Sequence, residues 1–353
     1  MSKGAIDSQI SIFLEALRTR DISGPKEVAI STANILQRFV SSRRYTTSED
    51  LAAQVKRLGA RIIQAQPHEF TAGNVVRRVL KSIRTVDEAM DLQKAEQDET
   101  ASAMFGLLKA AAPSLDPSKT NGKEEKIHVI TEIQAIVDEI QNLDPLFKSG
   151  LEMINEDDIL LFPCPSSDTV TSFLTRTAQK MRFQVILTEC YPNFSEETQR
   201  TAAKLEKAGI PTTIIPDTAV YAVMSKISKV IISCRTVLGN GGCITSTGVT
   251  LVCQAAKLFS KPVLAMAGSF KLSQLYPFDI NTLIEIGDSA KVIDLSDPAM
   301  EKLDVVVNPI YDYVAPEMID IIITNDGSYA TNFIYRLVLD NYSPQDHDPL
   351  LRE

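Results

Sequence analysis

The sequence has no apolar run of 18 residues, the length that a membrane-spanning helix needs. Its first residues, Met1-Ser2-Lys3-Gly4, lead into an amphipathic stretch and not into the apolar segment of a secretory signal. Cysteine is sparse: Cys164, Cys190, Cys234, Cys243 and Cys253 are scattered singly through apolar stretches. An odd number spaced in this way suits reduced core residues, not a disulfide framework or a zinc site, and points to a reducing compartment. No Cys-x-x-Cys, His-Glu-x-x-His, EF-hand loop or Gly-x-Ser-x-Gly occurs, which removes the common metal and serine-hydrolase chemistries. Only three histidines are present, His68, His128 and His347, far apart and away from expected strand ends, so general-base catalysis by histidine is poorly supported. Positive charge is in deficit too, with 36 Lys and Arg against 45 Asp and Glu for a net charge of −9. That balance disfavours non-specific binding to nucleic acid or to an anionic membrane. The absences together predict a soluble cytoplasmic protein with no cofactor, no metal, no direct nucleic-acid contact and no membrane contact.

What is present can build a substantial core, since 353 residues at 44% hydrophobic content suffice for one large domain or two ordinary ones. Charge is spread unevenly along them. Residues 1–84 carry 14 basic and 7 acidic side chains, against 22 and 38 over 85–353. In the basic part Leu51, Val55, Leu58 and Ile62 recur at helical spacing behind Thr47 and Asp50, which are placed as an N-cap and an acidic third position. A second stripe, Val76, Val79, Leu80 and Ile83, follows Thr71 as its expected cap, with Arg77, Arg78, Lys81 and Arg84 flanking it or facing away from it. These cations read equally as a solvated face or as a functional one. From Thr85 to about Lys126 the chain turns acidic, and Pro113, Asp116-Pro117 and Asn121-Gly122 break any long period, which predicts a mobile insertion. Ile127, Ile130, Ile133, Val137 and Ile140 then predict a helix from about Glu124 to Phe147.

From about Asp157 the rhythm changes. Short β-rich runs (159–162, 183–188, 211–215, 230–233, 262–266 and 319–324) alternate with helical segments. Runs apolar on both faces and separated by one helix each imply a parallel, doubly wound sheet with ligands near the carboxyl ends of its strands. The expected fold class is therefore α/β: an N-terminal helical domain over 1–150, with the insertion at about 85–126, then a Rossmann-like domain over 151–353.

The Gly-rich segment from Gly239 to Gly248 lies between an expected strand and an expected helix. A phosphate cradle needs that position, because backbone N–H groups approach an anion only where side chains are absent and a helix N-terminus adds about half a positive charge. The segment matches neither of the common nucleotide-loop patterns, since no Lys-Ser or Lys-Thr ends it and Ile244 stands where a third Gly would be. A ligand loop and a bare strand–helix turn both remain open on spacing alone.

The stretch from Val230 to Val249, with Pro262-Val-Leu-Ala-Met-Ala and Phe270-Lys-Leu-Ser, resembles the signature of a superfamily. It joins the regulatory subunits of eukaryotic translation initiation factor 2B to isomerases of ribose 1,5-bisphosphate and methylthioribose 1-phosphate. Phe70-Thr-Ala-Gly-Asn-Val-Val-Arg-Arg-Val-Leu, Tyr311-Asp-Tyr-Val-Ala-Pro-Glu and Tyr335-Arg-Leu resemble the beta branch of the regulatory subunits. Together these cover nearly the whole chain apart from the acidic insertion.

The isomerases of this superfamily carry a Gly-Ala-Asp triplet where this chain has Ser233-Cys234-Arg235, and arginine cannot serve as a general acid or base at neutral pH. Their catalytic Cys aligns with Pro165, one residue after Cys164. The resemblance thus implies a non-catalytic regulatory subunit of the guanine-nucleotide exchange factor for initiation factor 2. It would assemble with alpha, delta, gamma and epsilon subunits in a heterodecamer and bind initiation factor 2 through that factor's alpha subunit, sensing its phosphorylation. The alternative is a sugar-phosphate isomerase, or a sensor of a phosphorylated metabolite, with Arg235, Asn240, Gly241, Gly242 and Gly248 as its anion cradle. Under the regulatory reading Arg77, Arg78 and Lys81 are candidates for contacting the substrate factor, directly or by shaping the cleft, the alternative being internal salt bridges to the acidic remainder of the chain; the region holding Tyr311, Tyr313 and Tyr335 is the candidate assembly surface.

Overall fold

The computed structural model describes residues 3–43, 45, 47–105, 118–163, 165–294, 296–298 and 302–346. Chain contacts divide it into two units, Met1–Gln141 with Leu339–Glu353 and Asn142–Val338. No helix among the described residues is long and apolar enough to cross a membrane.

The first unit is built from α1 (Lys3–Thr19), α2 (Pro25–Ser42), α3 (Ser48–Ala65), α4 (Phe70–Phe105) and α5 (Ser118–Gln141). Thr47 caps α3 as its sequence predicts, its hydroxyl oxygen accepting from the Asp50 N–H at 3.2 Å, and Leu51, Val55, Leu58 and Ile62 are the buried stripe. Thr71 is not a cap. It lies inside α4 and is buried, and its N–H donates to the Glu69 carboxylate at 3.4 Å. The chain does not break at Thr85 either. Val86 extends the buried stripe of Val79 and Ile83 and Asp87 accepts from the Ser48 hydroxyl at 2.6 Å, so α4 runs on to Phe105. Asn121-Gly122 falls within α5, and residues 106–117 of the expected insertion lie outside the described ones. The buried face of α5 is Val129, Ile133, Ile136, Val137 and Ile140, while Ile127 is exposed. That helix stops at Gln141 instead of reaching Phe147, because Pro145 has no N–H to continue it and instead sits in the first turn of α6 (Asp144–Leu151).

The second unit continues with β1 (Ile159–Phe162), α7 (Asp168–Thr177), β2 (Gln184–Thr188), α8 (Ser195–Lys207), β3 (Thr212–Ile215), α9 (Val220–Val223) and β4 (Lys229–Ser233). Then come β5 (Thr236–Val237), β6 (Cys243–Ser246), α10 (Val249–Leu258), β7 (Val263–Met266), β8 (Tyr311–Val314), β9 (Ile321–Thr324), β10 (Gly327–Tyr329) and α11 (Ile334–Asn341). All six expected strands form, and they lie in one sheet of order β10-β9-β7-β4-β1-β2-β3 in which only β10 is antiparallel. This is the doubly wound order, with the reversal of winding between β1 and β4. Phe162, Phe173, Leu187, Ile231, Leu264 and Met266 belong to its buried core. A feature the strand rhythm did not predict is a second, antiparallel sheet, β5-β6-β8, made from the Gly-rich segment and the Tyr311 segment.

Candidate functional site

A doubly wound sheet offers ligands a crevice at the carboxyl ends of the strands that flank the reversal, here β1 and β4. Arg235 stands two residues past β4 at that place. Its N–H donates to the Ile244 carbonyl at 2.8 Å, and its guanidinium carbon lies 4.6 Å from the centre of the Tyr311 ring, a cation–π contact. Buried Lys271 donates from Nζ to the Cys234 carbonyl at 2.8 Å, and the Thr236 hydroxyl donates to the Lys271 carbonyl at 2.9 Å. Cys190, Cys234, Cys243 and Cys253 are free and buried, in keeping with reduced core residues. A hydrogen bond with Cys234, then burial, pushes the Cys243 thiol well above its ordinary value, and burial does the same for Cys253. Neither is poised as a thiolate. Cys164 and His347 lie outside the described residues.

The Gly-rich loop is packed by its own chain. Gly241 has φ of +82°, and a Cβ there would come 2.3 Å from the Thr331 carbonyl oxygen; one on Gly242 would come 2.6 Å from the Tyr313 hydroxyl. Asn240 closes the loop, accepting from the Gly242 N–H at 3.0 Å and donating from Nδ2 to the Tyr313 hydroxyl at 2.8 Å. Gly248, in the left-handed region at φ +92°, precedes α10, and this helix start already has its anion. The Asp312 carboxylate accepts from the N–H groups of Gly248 at 3.2 Å and Thr250 at 3.4 Å. It satisfies the donors and the dipole that a phosphate would otherwise meet. The small residues therefore serve close approach of β8 and of Thr331, which is a physical reason for the pattern without a bound phosphate.

Residues first assigned to separate roles thus come together. Pairing of β6 with β8 sets Ile244 opposite Tyr313 and Ser246 opposite Tyr311, which puts Tyr311 under Arg235 and Tyr313 against Asn240 and Gly242. Tyr335, on α11, is separate and 54% exposed. Asp312 and Lys271 escaped sequence reasoning as site residues; each lies within a motif already singled out, but only strand pairing aims Asp312 at α10.

Arg77, Arg78, Lys81 and Arg84 of α4 are engaged internally in the first unit. Arg77 is 2% exposed, with Nε donating to the Asp346 carbonyl at 3.4 Å, so it is not placed to touch a partner directly. Burial lowers its pKa, opposed by Tyr342 and Asp346. Arg78 forms a two-pronged pair with Glu139, and Lys81 donates to the Asp340 carbonyl. Asp346, fully buried, also accepts from Arg84 and from Lys56 at 3.2 Å. These four cations thereby hold the C-terminal segment and α5.

These features define a class: a helical unit joined to a Rossmann-like α/β unit whose Gly-rich loop is filled from within by its own chain. The chain belongs to the initiation factor 2 subunit family, whose sequence profile matches residues 21–331. It is 30% identical to translation initiation factor eIF2B subunit beta of Schizosaccharomyces pombe, over 96% of each chain. It is also similar, at 24% identity over 89% of this chain and 88% of the relative, to the ribose 1,5-bisphosphate isomerase of Pyrococcus furiosus. The crystal structure of eIF2B beta from Chaetomium thermophilum superposes with a TM-score of 0.76 at 28% identity, over 97% of this chain and 94% of that one. A chain of the tetrameric eIF2B-beta2-delta2 complex from C. thermophilum gives 0.72 at 26% identity, over 96% and 95%.

Proposed function

We propose that this chain is a non-catalytic, beta-type regulatory subunit of the guanine-nucleotide exchange factor for translation initiation factor 2, acting in the cytoplasm. In this reading it pairs with a delta-type subunit through its second unit and joins alpha, gamma and epsilon subunits. The assembly binds the substrate factor through its alpha subunit and responds to phosphorylation there, which adds about two negative charges. The observation that carries the reading is apolar surface left uncovered on the second unit: Leu251 is 65%, Leu258 71% and Phe278 92% exposed. Side chains of this kind are buried when a permanent complex forms. The likeness to a chain of a beta–delta tetramer supports a delta-type partner. Arg77, Arg78 and Lys81 contribute by shaping the helical unit, not by contact.

Co-expression with a delta-type subunit and light scattering on the purified material tests this. A stable hetero-oligomer is expected, with no turnover of ribose 1,5-bisphosphate above buffer. A monomer at micromolar concentration that takes up no delta-type subunit, or turnover that Arg235→Ala abolishes, refutes it.

A further inference from the structure

A groove of about 750 Å³ opens in the first unit, lined by residues of α1, α2 and α3 and by Arg43 just after α2. Its floor is apolar, made by the edges of Ile10, Phe39 and Leu58. Two of the five charged side chains on its walls are matched, Arg43 pairing with Asp7 at 2.6 Å. Asp50 accepts from the Gln54 amide at 3.2 Å, which brings no countercharge. Arg57 and Arg61 both line the groove, both are exposed, and neither forms an ion pair among the described residues. They sit one helical turn apart on α3, which sets their Cβ atoms about 5–6 Å from each other.

We infer that this groove docks an extended acidic segment of a protein partner, with two carboxylates gripped by Arg57 and Arg61. Charge complementarity selects the occupant, because two guanidinium groups without an ion pair open together in a groove whose charged lining is net positive, Arg43, Arg57 and Arg61 against Asp7 and Asp50. Spacing selects its pattern. An extended chain advances about 3.3 Å per residue, so carboxylates two residues apart match the pitch of the two arginines and leave the side chain between them on the opposite side. Single-stranded nucleic acid fits less well, since it needs exposed aromatic side chains to stack on and Phe39, the one aromatic in the lining, is buried. The proposal does not depend on the assembly reading, and either can fail alone.

The test uses the full chain in whatever assembly it purifies, with fluorescence anisotropy of a labelled Gly-Glu-Val-Glu-Val-Gly peptide. Saturable binding is expected, weakening as salt rises. The same composition reordered as Gly-Val-Glu-Glu-Val-Gly should bind more weakly. Arg57→Glu/Arg61→Glu should weaken the first peptide about tenfold or more, the sum of two lost exposed pairs and new repulsion. A control of equal charge change on helix surfaces outside the groove, Arg18→Glu/Arg38→Glu, should not. Thermal melting verifies that the variants fold, and Arg57→Gln/Arg61→Gln, which adds no repulsion, gives a second reading of the same loss. Three outcomes overturn the proposal: no saturable peptide binding, equal weakening by the control variant, or an unstructured RNA oligonucleotide bound more tightly than the peptide and lost with the same two arginines.

Discussion

At 2% exposure Arg77 must be satisfied by its own chain, and what satisfies it is the C-terminal segment at Asp346. A buried charge stripped of its partner is worth far more than a surface pair, because the remaining charge stays desolvated. Asp346→Asn, which keeps the shape and removes the charge that Arg77, Arg84 and Lys56 share, should lower stability by about 3–5 kcal/mol. Urea titration should show this as a lower midpoint at nearly unchanged slope. A loss no larger than that of Arg200→Ala, which removes an exposed pairing with Glu196 and Glu197, would mean that the buried cluster carries no special weight. From sequence, Arg77 and its neighbours read as a solvated stripe, a partner-facing one or one bridged internally to the acidic remainder, and nothing local chose among them. Their acceptors lie on α5 and about 260 residues downstream, and no local spacing reports such a distance.

Among the elements, the short sheet β5-β6-β8 is where sequence and structure part most. Residues 243–246 read as the middle of a glycine-rich loop, yet Cys243–Ser246 is a fully buried strand. It pairs with β5 a few residues before it and along its whole length with β8, about 65–71 positions away, so most of its pairing is not local. The glycines before it then have a steric task, and two substitutions separate that task from simple backbone freedom. Gly241→Ala meets both a positive φ and the Thr331 carbonyl oxygen at 2.3 Å, whereas Gly209→Ala has nearly the same φ, +81°, and nothing within 4 Å. Positive φ alone costs a non-glycine residue about 1–3 kcal/mol, and forced overpacking about 1–3 more. Gly241→Ala should therefore melt well below Gly209→Ala; equal melting temperatures would show that the loop yields and that the packing against Thr331 is loose.

At the scale of the molecule, the C-terminal segment counts with the first unit, far from it in sequence, and Tyr342 is buried there. Burial pushes its phenol up to about 12, while an unfolded tyrosine ionises near the ordinary value of 10.0. Below that ordinary value both states are neutral and the group has no effect on the pH dependence of stability. Above it the unfolded chain loses a proton that the folded chain keeps, so stability falls as pH rises toward about 12, by at most about 1.4 kcal/mol per pH unit for one group. Tyr45 is raised to about 12 as well, mainly by burial, but is only partly covered and should add a weaker slope. Chemical denaturation between pH 9 and pH 11 should thus give a steeper decline for the native chain than for Tyr342→Phe. Identical slopes would show that the segment opens before the phenol titrates.

By itself the sequence determined the helical character of residues 51–62 and 76–83, the six parallel strands and the buried cysteines. Helical and strand periodicity report which face of a segment meets a core, and a strand rich in β-branched residues between turn signals carries its own identity. Only the tertiary structure decided that Arg77 points inward, that Asp312 occupies the start of α10, and that the glycine loop is filled by Tyr313 and Thr331. Each of those outcomes depends on an acceptor, a carboxylate or a bulky group brought from another part of the chain. Such partners become neighbours only after the strands have paired and the C-terminal segment has closed on the helices.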